Sequence, residues 1–183
     1  MDRATYERHA AYWRNIIRER PENIVAPGPG QESVWDYPRP PIVQPVTERL
    51  RVEFAGVVLA VTTRGLRVLE TSSPPAYYFP PDDVRTEFLG PTHHTTLCEW
   101  KGIGHHWTVS VRGREAEMAA WSYPEPEPGY EALRDYLAFY PGRVDACFVD
   151  DERVQPPPGD YYGGWATAKI VGPFKGGPGT ERW

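Results

Sequence analysis

Hydrophobic residues recur at two spacings along this chain, and the first of them is helical. Near the start, apolar side chains follow one another three or four positions apart, which predicts an amphipathic helix. Asp2 can cap its first turn, and Pro21 ends it. The predicted buried face carries the residues at this spacing: Tyr6, Ala10, Trp13 and Ile17.

From residue 49 onward the pattern changes to short runs rich in β-branched residues, which are typical of antiparallel strands. Gly56 and Gly65 separate the first runs and predict tight turns between them. The predicted strands are residues 49–54, 57–62, 66–71, 76–80, 95–100, 106–111, 115–121 and 143–149.

One segment inside this region returns to helical spacing. Leu133 and Leu137 would share a face with Tyr130 and Tyr140, and Pro141 would prevent the helix from continuing. The pattern therefore predicts a second helix from Tyr130 to Tyr140.

Proline and glycine set the boundaries of the predicted body. Residues 27–45 are interrupted by prolines, which also disfavour helix at the preceding position, and residues 151–183 form a tail rich in both residue types. The expected fold is mostly β (α+β): a compact body of short antiparallel strands with an N-terminal helix, one internal helix and an irregular C-terminal tail. We assign residues 1–33 to helix and linker, 34–150 to the β-rich domain and 151–183 to the tail.

Composition and charge narrow the classes of function. The chain has 183 residues, enough to bury a core, and a formal net charge of −5, which argues against general nucleic-acid binding. No run approaches the roughly 18 apolar residues that cross a membrane, and the charged N-terminal segment does not resemble a signal peptide. Because two cysteines are too few for a disulfide framework, we expect a soluble protein in the reducing cytoplasm.

The stretch TTLCEWKGIGHHW, residues 95–107, gathers the chemically versatile side chains. A four-residue turn at Lys101–Gly104 would pair Cys98 with Trp107 across a hairpin, and strand residues alternate between faces. The face toward the core would then carry Thr96, Cys98, Trp100, Trp107, Val109 and Val111. The solvent-facing side would carry Thr95, Glu99, His106, Thr108 and Ser110.

Cys98 and Lys101 each allow two interpretations. A buried cysteine behaves as a small hydrophobic residue whose thiol has a raised pKa and low reactivity, whereas a cysteine beside a cation can act as a nucleophile. Lys101 is either a solvated turn cation or a lysine fixed at a strand end, where Gly102 leaves room for an anionic ligand beside the backbone. The pattern favours core packing for Cys98 and leaves Lys101 open.

The sequence gives no reason to assign a metal site. His94 and Cys98 would lie on one strand, about 13 Å apart at ~3.3 Å per residue. Two ligands of one zinc ion lie only about 4 Å apart. No CxxC or HExxH pattern completes a site with His105.

Aromatic residues cluster beside prolines at the predicted strand ends, an arrangement that suits either the capping of a small core or the wall of a ligand pocket. No nucleophile elbow accompanies them, and residues 172–179, GPFKGGPG, lack the GK[ST] ending of a phosphate loop. The candidate ligand-binding residues are Tyr77, Tyr78, Thr96, Gly102, Trp107, Trp121 and Tyr123, and the candidate catalytic residues are Cys98 and Lys101.

Several motifs occur together and in the order found in a known family. Over residues 34–150 the chain resembles the bacterial family catalogued as domain of unknown function 427. Its central Thr-x-Cys-x-x-Lys-Gly run is matched by Thr96, Cys98, Lys101 and Gly102. The resemblance implies a compact, mostly β body. The family also carries a nucleotidyltransferase label, an alternative activity that no motif in this chain supports. The other matching segments are VWDYPRPP, LRVLETSSPPAYYFPPDDV, AAWSYPEP and YLAFYPGRVDACFV.

Two hypotheses of different classes follow. In the first, the β body holds a pocket for a small molecule, with an anionic ligand as one option, and has aromatic walls and Cys98 and Lys101 as its polar or reactive groups. In the second, the protein serves interaction or assembly, and the N-terminal helix and the Trp-ended tail clasp another subunit to form a homo-oligomer. The residues leave open whether catalysis occurs and identify no cofactor.

Overall fold

A computed structural model describes residues 3–183. Helix α1 spans Arg3–Asn15 and buries Tyr6 and Ala10. The predicted continuation to Pro21 is wrong, because the later apolar positions find no surface to pack on: Trp13 is 38 % exposed and Ile17 is 77 % exposed. Among the described residues, no helix is long and apolar enough to cross a membrane.

The rest of the described chain is built mainly from short strands, as the sequence predicted. In chain order they are β1 (Glu32–Ser33), β2 (Ile42–Pro45), β3 (Leu50–Phe54), β4 (Val57–Thr62), β5 (Leu66–Glu70), β6 (Ser73–Phe79), β7 (Leu89–Cys98), β8 (Gly102–Val111), β9 (Arg114–Ser122), β10 (Leu137–Phe139), β11 (Ala146–Val149), β12 (Glu152–Arg153) and β13 (Ile170–Val171).

Two antiparallel sheets form the body. The larger has seven strands in the order β2-β5-β6-β10-β9-β8-β7, and the smaller has four in the order β12-β11-β3-β4. The main core joins their facing sides, with Leu50 and Val52 from the small sheet and Phe79, Val109 and Phe139 from the large one. The mostly β expectation is therefore confirmed.

A second apolar cluster covers the opposite side of the large sheet. Strand side chains alternate between faces, so Tyr78 points away from the main core while its neighbour Phe79 points into it. Trp121, Tyr123 and Tyr140 join Tyr78 in this second cluster. This side of the sheet carries the candidate site.

The predicted internal helix does not form. Residues Glu131–Leu133 make a single 3₁₀ turn, Asp135 takes a left-handed φ of 61°, and Leu137–Phe139 is strand β10. The strand pairs with β6 and β9 on its two sides, so all three of its residues are buried. Sheet pairing at the centre of the molecule thus overrides the helical spacing of the apolar residues.

The hairpin of β7 and β8 forms with a different turn and register from those predicted. The turn is residues 99–101, so Cys98 lies opposite Gly102 rather than Trp107. Cys98 therefore shares a face of the sheet with His106, whereas Trp107 and Val109 face the main core. His106, placed on the solvent-facing side by the prediction, is only 3 % exposed because Tyr140 of the second apolar cluster packs on that side.

The C-terminal tail folds back onto its own chain. Trp165 is fully buried in the main core, and its indole Nε1 donates a hydrogen bond to the carbonyl of Phe139 at 2.9 Å. Strand β13 pairs in parallel with β1, and the ring of Trp183 packs against Trp35 with 5.6 Å between centroids. The tail can therefore contribute residues to a site on the body.

Candidate functional site

The turn between β5 and β6 is where distant parts of the chain meet. Ser72, buried and with a left-handed φ of 73°, donates its N–H to the carbonyl of Val34 at 3.0 Å. Its own carbonyl accepts the N–H of Lys175 at 2.8 Å. This turn holds the N-terminal segment and the tail beside Glu70, the last residue of β5.

Glu70 links two cations from different segments. Its Oε1 accepts a hydrogen bond from Arg39 Nη1 at 2.9 Å, and its Oε2 accepts one from Lys101 Nζ at 3.3 Å. Burial alone would raise the pKa of Glu70, but the charges of Lys101 and Arg39 hold it below its usual value. Glu70 is therefore an ionised carboxylate at neutral pH.

Lys101 is a buried cation, which excludes the interpretation as a solvated turn residue. Only 8 % of it is exposed. Burial by itself would lower its pKa, but the charges of Cys98 and Glu70 overcome this effect and raise the pKa well above the ordinary value. Lys101 therefore remains an ammonium group at any physiological pH.

Cys98 lies at the mouth of this cluster with a free thiol. Its side chain is half-buried, and its Sγ accepts a weak hydrogen bond from the backbone N–H of Lys101 at 3.5 Å. Tyr6 of helix α1 donates its hydroxyl to the carbonyl of Cys98 at 3.2 Å. Cys98 thus packs against the second apolar cluster and keeps part of its surface exposed.

The charged cluster extends beyond Glu70 to a second carboxylate. Glu99 Oε1 accepts hydrogen bonds from Arg39 and, at 3.2 Å, from Arg18 Nη2. Burial, followed by the neighbouring charge of Arg39, lowers the pKa of Arg18. Three cations are ion-paired with Glu70 and Glu99: Arg18, Arg39 and Lys101. A fourth, Lys175, feels the charges of both carboxylates without forming an ion pair with either.

Lys175 is the cation of this cluster that has no side-chain carboxylate partner among residues 3–183. Its Nζ donates to the main-chain oxygen of Trp183 at 3.1 Å and lies 5.5 Å from the centre of the Tyr162 ring. Burial, followed by the charges of Arg18 and Arg39, lowers the pKa of Lys175 to about 8.

Two tyrosines form the inner wall of the site. Tyr78 is fully buried and its hydroxyl accepts a hydrogen bond from Trp121 Nε1 at 3.3 Å. Burial raises the pKa of Tyr78 to about 12, and burial together with the charge of Cys98 raises the pKa of Tyr123 well above its usual value. Both phenols are therefore neutral hydrogen-bonding groups.

Thr96 has a buried histidine as its partner. Its Oγ1 lies 3.0 Å from Nε2 of His106, whose ring packs between His94, at 4.9 Å between centroids, and Tyr140, at 6.1 Å. Burial and the nearby charge of His94 lower the pKa of His106 to about 4, so its imidazole is neutral. This histidine is a polar group that the predicted hairpin register had placed in solvent.

Two of the predicted ligand-binding residues lie apart from the others. Tyr77 packs on Trp165 in the main core, with 5.2 Å between ring centroids. Trp107 packs against the same core, and its Nε1 donates to Ser122 Oγ at 3.0 Å. The alternation of side chains along β6 and along β8 thus places both rings on the main-core side of the sheet.

Gly102 lies at the site and has no room for a side chain. Its φ is +111°, and a Cβ would come within 3.3 Å of the carbonyl oxygen of Glu125. The same neighbouring segment is tied to the turn by the N–H of Glu127, which donates to the carbonyl of Lys101 at 3.0 Å. Gly102 therefore lets the segment 125–127 cover the backbone of the hairpin turn.

An open cleft of about 640 Å³ lies beside the site. Trp100 forms one wall, and its indole lies between the guanidinium groups of Arg14 and Arg39, at 5.4 and 5.8 Å. Because Arg39 also binds Glu70, this ring connects the cleft with the charged cluster. Other residues that line the cleft are Pro41, Val43, Glu127 and Tyr130.

The sequence analysis missed the residues that complete the site. Glu70 carried a weak signal, as a charged residue that directly follows the apolar pair Val68 and Leu69 at the end of a strand. Arg39 lies in the family-like segment VWDYPRPP, but nothing in that segment indicated a charged site. Lys175 carried no signal, because the folded turn at Ser72 is what holds its segment beside Glu70. Of the predicted residues, the structure gathers those on the second face of the sheet: Tyr78, Cys98, Lys101, Gly102, Trp121 and Tyr123.

Comparison with known proteins gives one result. Residues 42–150 match the model of a family described as a domain of unknown function, DUF427, and this range covers more than half of the chain. No curated protein matches the chain. Within the site, Glu70, Cys98 and Lys101 lie inside the matched range, whereas Arg18 and Lys175 lie outside it.

Proposed function

We propose that this chain, which belongs to the DUF427 family, binds a small anionic molecule at the cluster around Cys98 and Lys101. The observation that carries this proposal is that four partly or fully buried cations lie around the two carboxylates Glu70 and Glu99, with which Arg18, Arg39 and Lys101 are ion-paired and Lys175 is not. Burial is the main cause of the lowered pKa values of Arg18 and Lys175, and repulsion by neighbouring arginines lowers both further. An anion would relieve this repulsion.

The groups of the site suit an anion with polar substituents. Arg39 offers a planar guanidinium, which favours carboxylate or phosphate oxygens. The hydroxyl groups of Tyr78 and Tyr123 remain protonated because burial raises the pKa of both. The half-buried thiol of Cys98 lies at the same place and can report on occupancy whether or not it reacts with the ligand.

Alkylation of Cys98 in the presence of anions tests this function. In a Cys147→Ser background, iodoacetamide labels Cys98 alone, since the chain has two cysteines. We expect inorganic phosphate or a small carboxylate such as succinate to slow labelling in a saturable way, while equal ionic strength of sodium chloride has little effect. Arg39→Gln should weaken this protection.

Arg64→Gln serves as the matched control, because the exposed guanidinium of Arg64 binds the carboxylate of Asp83, which is not part of the site. It should leave the protection unchanged. The proposal fails if no anion protects Cys98 more than sodium chloride does, or if Arg39→Gln and Arg64→Gln behave alike.

The other functions raised by the sequence have weaker support. For nucleotidyl transfer, residues 3–183 contain no group of three or more His, Cys, Asp and Glu side chains that could hold a metal ion. For assembly, the tryptophans of the tail pack on their own chain. The remaining support for assembly is that Tyr12 and Ile17, in the N-terminal segment, have exposed side chains.

A further inference from the structure

The open cleft of about 640 Å³ beside the hairpin turn has mainly apolar walls. It is lined by two short runs of the chain, residues 40–43 and 127–130, and by the side chains of Arg14 and Trp100. Its volume lies within the range of about 300–1,000 Å³ that is usual for small-molecule sites. The four cations that surround Glu70 and Glu99 do not line it. A ligand in this cleft would therefore not depend on the anion site of the proposed function.

The backbone of the walls offers a ligand few hydrogen-bonding groups. Three of the lining residues are prolines, which have no N–H to donate: Pro40, Pro41 and Pro128. In the run 127–130 each N–H is already bonded within the chain: that of Glu127 to Lys101, that of Gly129 to Glu131 and that of Tyr130 to Glu127. The carbonyl of Pro41 accepts the hydroxyl of Tyr130 at 2.8 Å. These walls therefore suit apolar contact better than the addition of a peptide strand.

Arg14 supplies a charged group to this apolar cleft. Its Nε donates to the carbonyl of Glu99 at 2.6 Å, and its guanidinium lies 5.4 Å from the centre of the Trp100 ring. These two contacts fix the plane of the guanidinium. Both Nη groups are left without a hydrogen-bond partner among residues 3–183, so they are available to a ligand.

The carboxylates near Arg14 have other arginine partners. Glu127, which lines the cleft, is bound by both Nη groups of Arg3, at 2.5 and 3.1 Å. The side chain of Glu99 is ion-paired with two arginines of the charged cluster. The positive charge of Arg14 is therefore not balanced by a carboxylate of the described chain, and charge complementarity favours a ligand with an anionic group.

We infer that the cleft binds a small carboxylate with an apolar, ring-sized body, such as an aryl carboxylate. The two carboxylate oxygens accept hydrogen bonds from the two Nη groups of Arg14, whose planar fork matches that geometry. The ring packs against the prolines, Ile42 and Tyr130. Further polar substituents would be desolvated against these walls without gaining partners, which disfavours sugars and nucleotides.

Equilibrium dialysis of the whole chain at neutral pH tests this assignment. The probe is 2-naphthoate, and its matched compounds are 2-naphthalenemethanol, which lacks the carboxylate, and acetate, which lacks the ring. We expect 2-naphthoate to bind saturably and at least about tenfold more tightly than either compound, since a hydrogen bond to a charged group contributes at least that factor.

Substitution of Arg14 separates the charge from the apolar contact. Arg14→Gln should weaken the binding of 2-naphthoate at least about tenfold and leave that of the alcohol unchanged. Arg8→Gln is the matched control, because Arg8 lies on the same helix, donates to Thr5 and does not line the cleft. It should leave both affinities unchanged.

A second pair of variants tests the apolar wall. Ile42→Glu places a carboxylate in the cleft and should weaken the binding of 2-naphthoate. Val58→Glu is its control, because Val58 is also on a strand, has the same exposure (41 % against 40 %) and lies outside the cleft. Circular dichroism of the four variants verifies that each is folded, and exposed positions should tolerate the substitutions.

Four results would overturn the inference. The first is equal affinity for 2-naphthoate and its alcohol, and the second is equal loss in Arg14→Gln and Arg8→Gln. The third is binding of a proline-rich peptide but not of 2-naphthoate, which would make the cleft a peptide site. The fourth is self-association that Ile42→Glu alone abolishes, which would make it an interface between copies. Protection of Cys98 by phosphate is measured separately, so the proposed function stands or fails independently.

Discussion

A residue's surroundings, more than its neighbours in sequence, decide what it can do at this site. Lys101 and Lys175 are both followed by glycine. The charges of Cys98 and of the distant Glu70 raise the pKa of Lys101, whereas burial, followed by the charges of Arg18 and Arg39, lowers the pKa of Lys175. Sequence reasoning identified Lys101 through its motif, but it could not have separated the two lysines without knowing which carboxylate each one meets.

His106 provides a prediction at the same scale. It is neutral in the folded protein, with a pKa lowered to about 4 from an ordinary 6.5 by burial and by the nearby charges of His94, Arg143 and His105. Between these two values the unfolded chain binds more protons than the folded one. Stability must therefore fall as the pH drops from about 6.5 to about 4, by roughly 2–3 kcal/mol from this residue.

Urea denaturation at several pH values checks this expectation. The variant His106→Gln should lose most of that slope while keeping a hydrogen-bonding group toward Thr96. His9→Gln, on the exposed side of helix α1, is the control and should keep it. An unchanged slope in His106→Gln would show that another group governs acid sensitivity.

At the scale of elements, the positions of the strands along the chain were easier to predict than the side of the sheet on which each side chain lies. β-Branched runs located β3, β4 and β5 well. The prediction put the β7–β8 turn at Lys101–Gly104 and paired Cys98 with Trp107, whereas in the structure Cys98 lies opposite Gly102. A wrong register groups residues from opposite faces, so Trp107 was assigned to the site. His106 was assigned to solvent because the apolar cluster on its side of the sheet was not predicted. The missed strand β10 has the same origin, since its partners β6 and β9 are distant in sequence.

The turn of the β7–β8 hairpin depends on Gly102, and substitution tests this. Gly102→Ala should lower the free energy of unfolding by about 1–3 kcal/mol, because the left-handed backbone is strained for alanine and the Cβ meets Glu125. Gly113→Ala is the matched control, since Gly113 has a φ of +77° with nothing within 4 Å of a Cβ. The Gly113→Ala substitution should lower the free energy of unfolding by about 1 kcal/mol.

Denaturant unfolding of the two glycine variants gives the comparison directly. If both lose the same stability, the contact with Glu125 is unimportant and only the backbone conformation matters. If Gly102→Ala also slows the alkylation of Cys98, the turn geometry controls access to the thiol as well.

At the scale of the molecule, the site is assembled from parts that lie inside and outside the range that matches the family. The hairpin and Glu70 lie within residues 42–150, whereas Arg39 and Lys175 come from the flanking segments. A description limited to the matched range would contain one buried lysine, its carboxylate and the thiol. The flanking segments add the positive charge on which the anion hypothesis depends, and no local pattern in the sequence indicated that they would return to the hairpin.

The last prediction concerns how the tail is attached. Trp165 is fully buried against Tyr77 and Phe79, and its Nε1 bonds to Phe139. Trp165→Ala should therefore cost about 3–5 kcal/mol through the lost burial and the cavity. Trp183→Ala removes a more exposed ring and should cost only about 1 kcal/mol.

Unfolding of both tryptophan variants should be followed by circular dichroism, because tryptophan fluorescence changes with the substitution itself. Should Trp165→Ala fail to fold, Trp165→Phe gives a measurable, smaller loss. Light scattering on the folded variants adds a second readout. If Trp165→Ala folds with nearly wild-type stability but a lower molar mass, the ring belongs to a contact between subunits, and the assembly hypothesis gains over the attachment of the tail to its own chain.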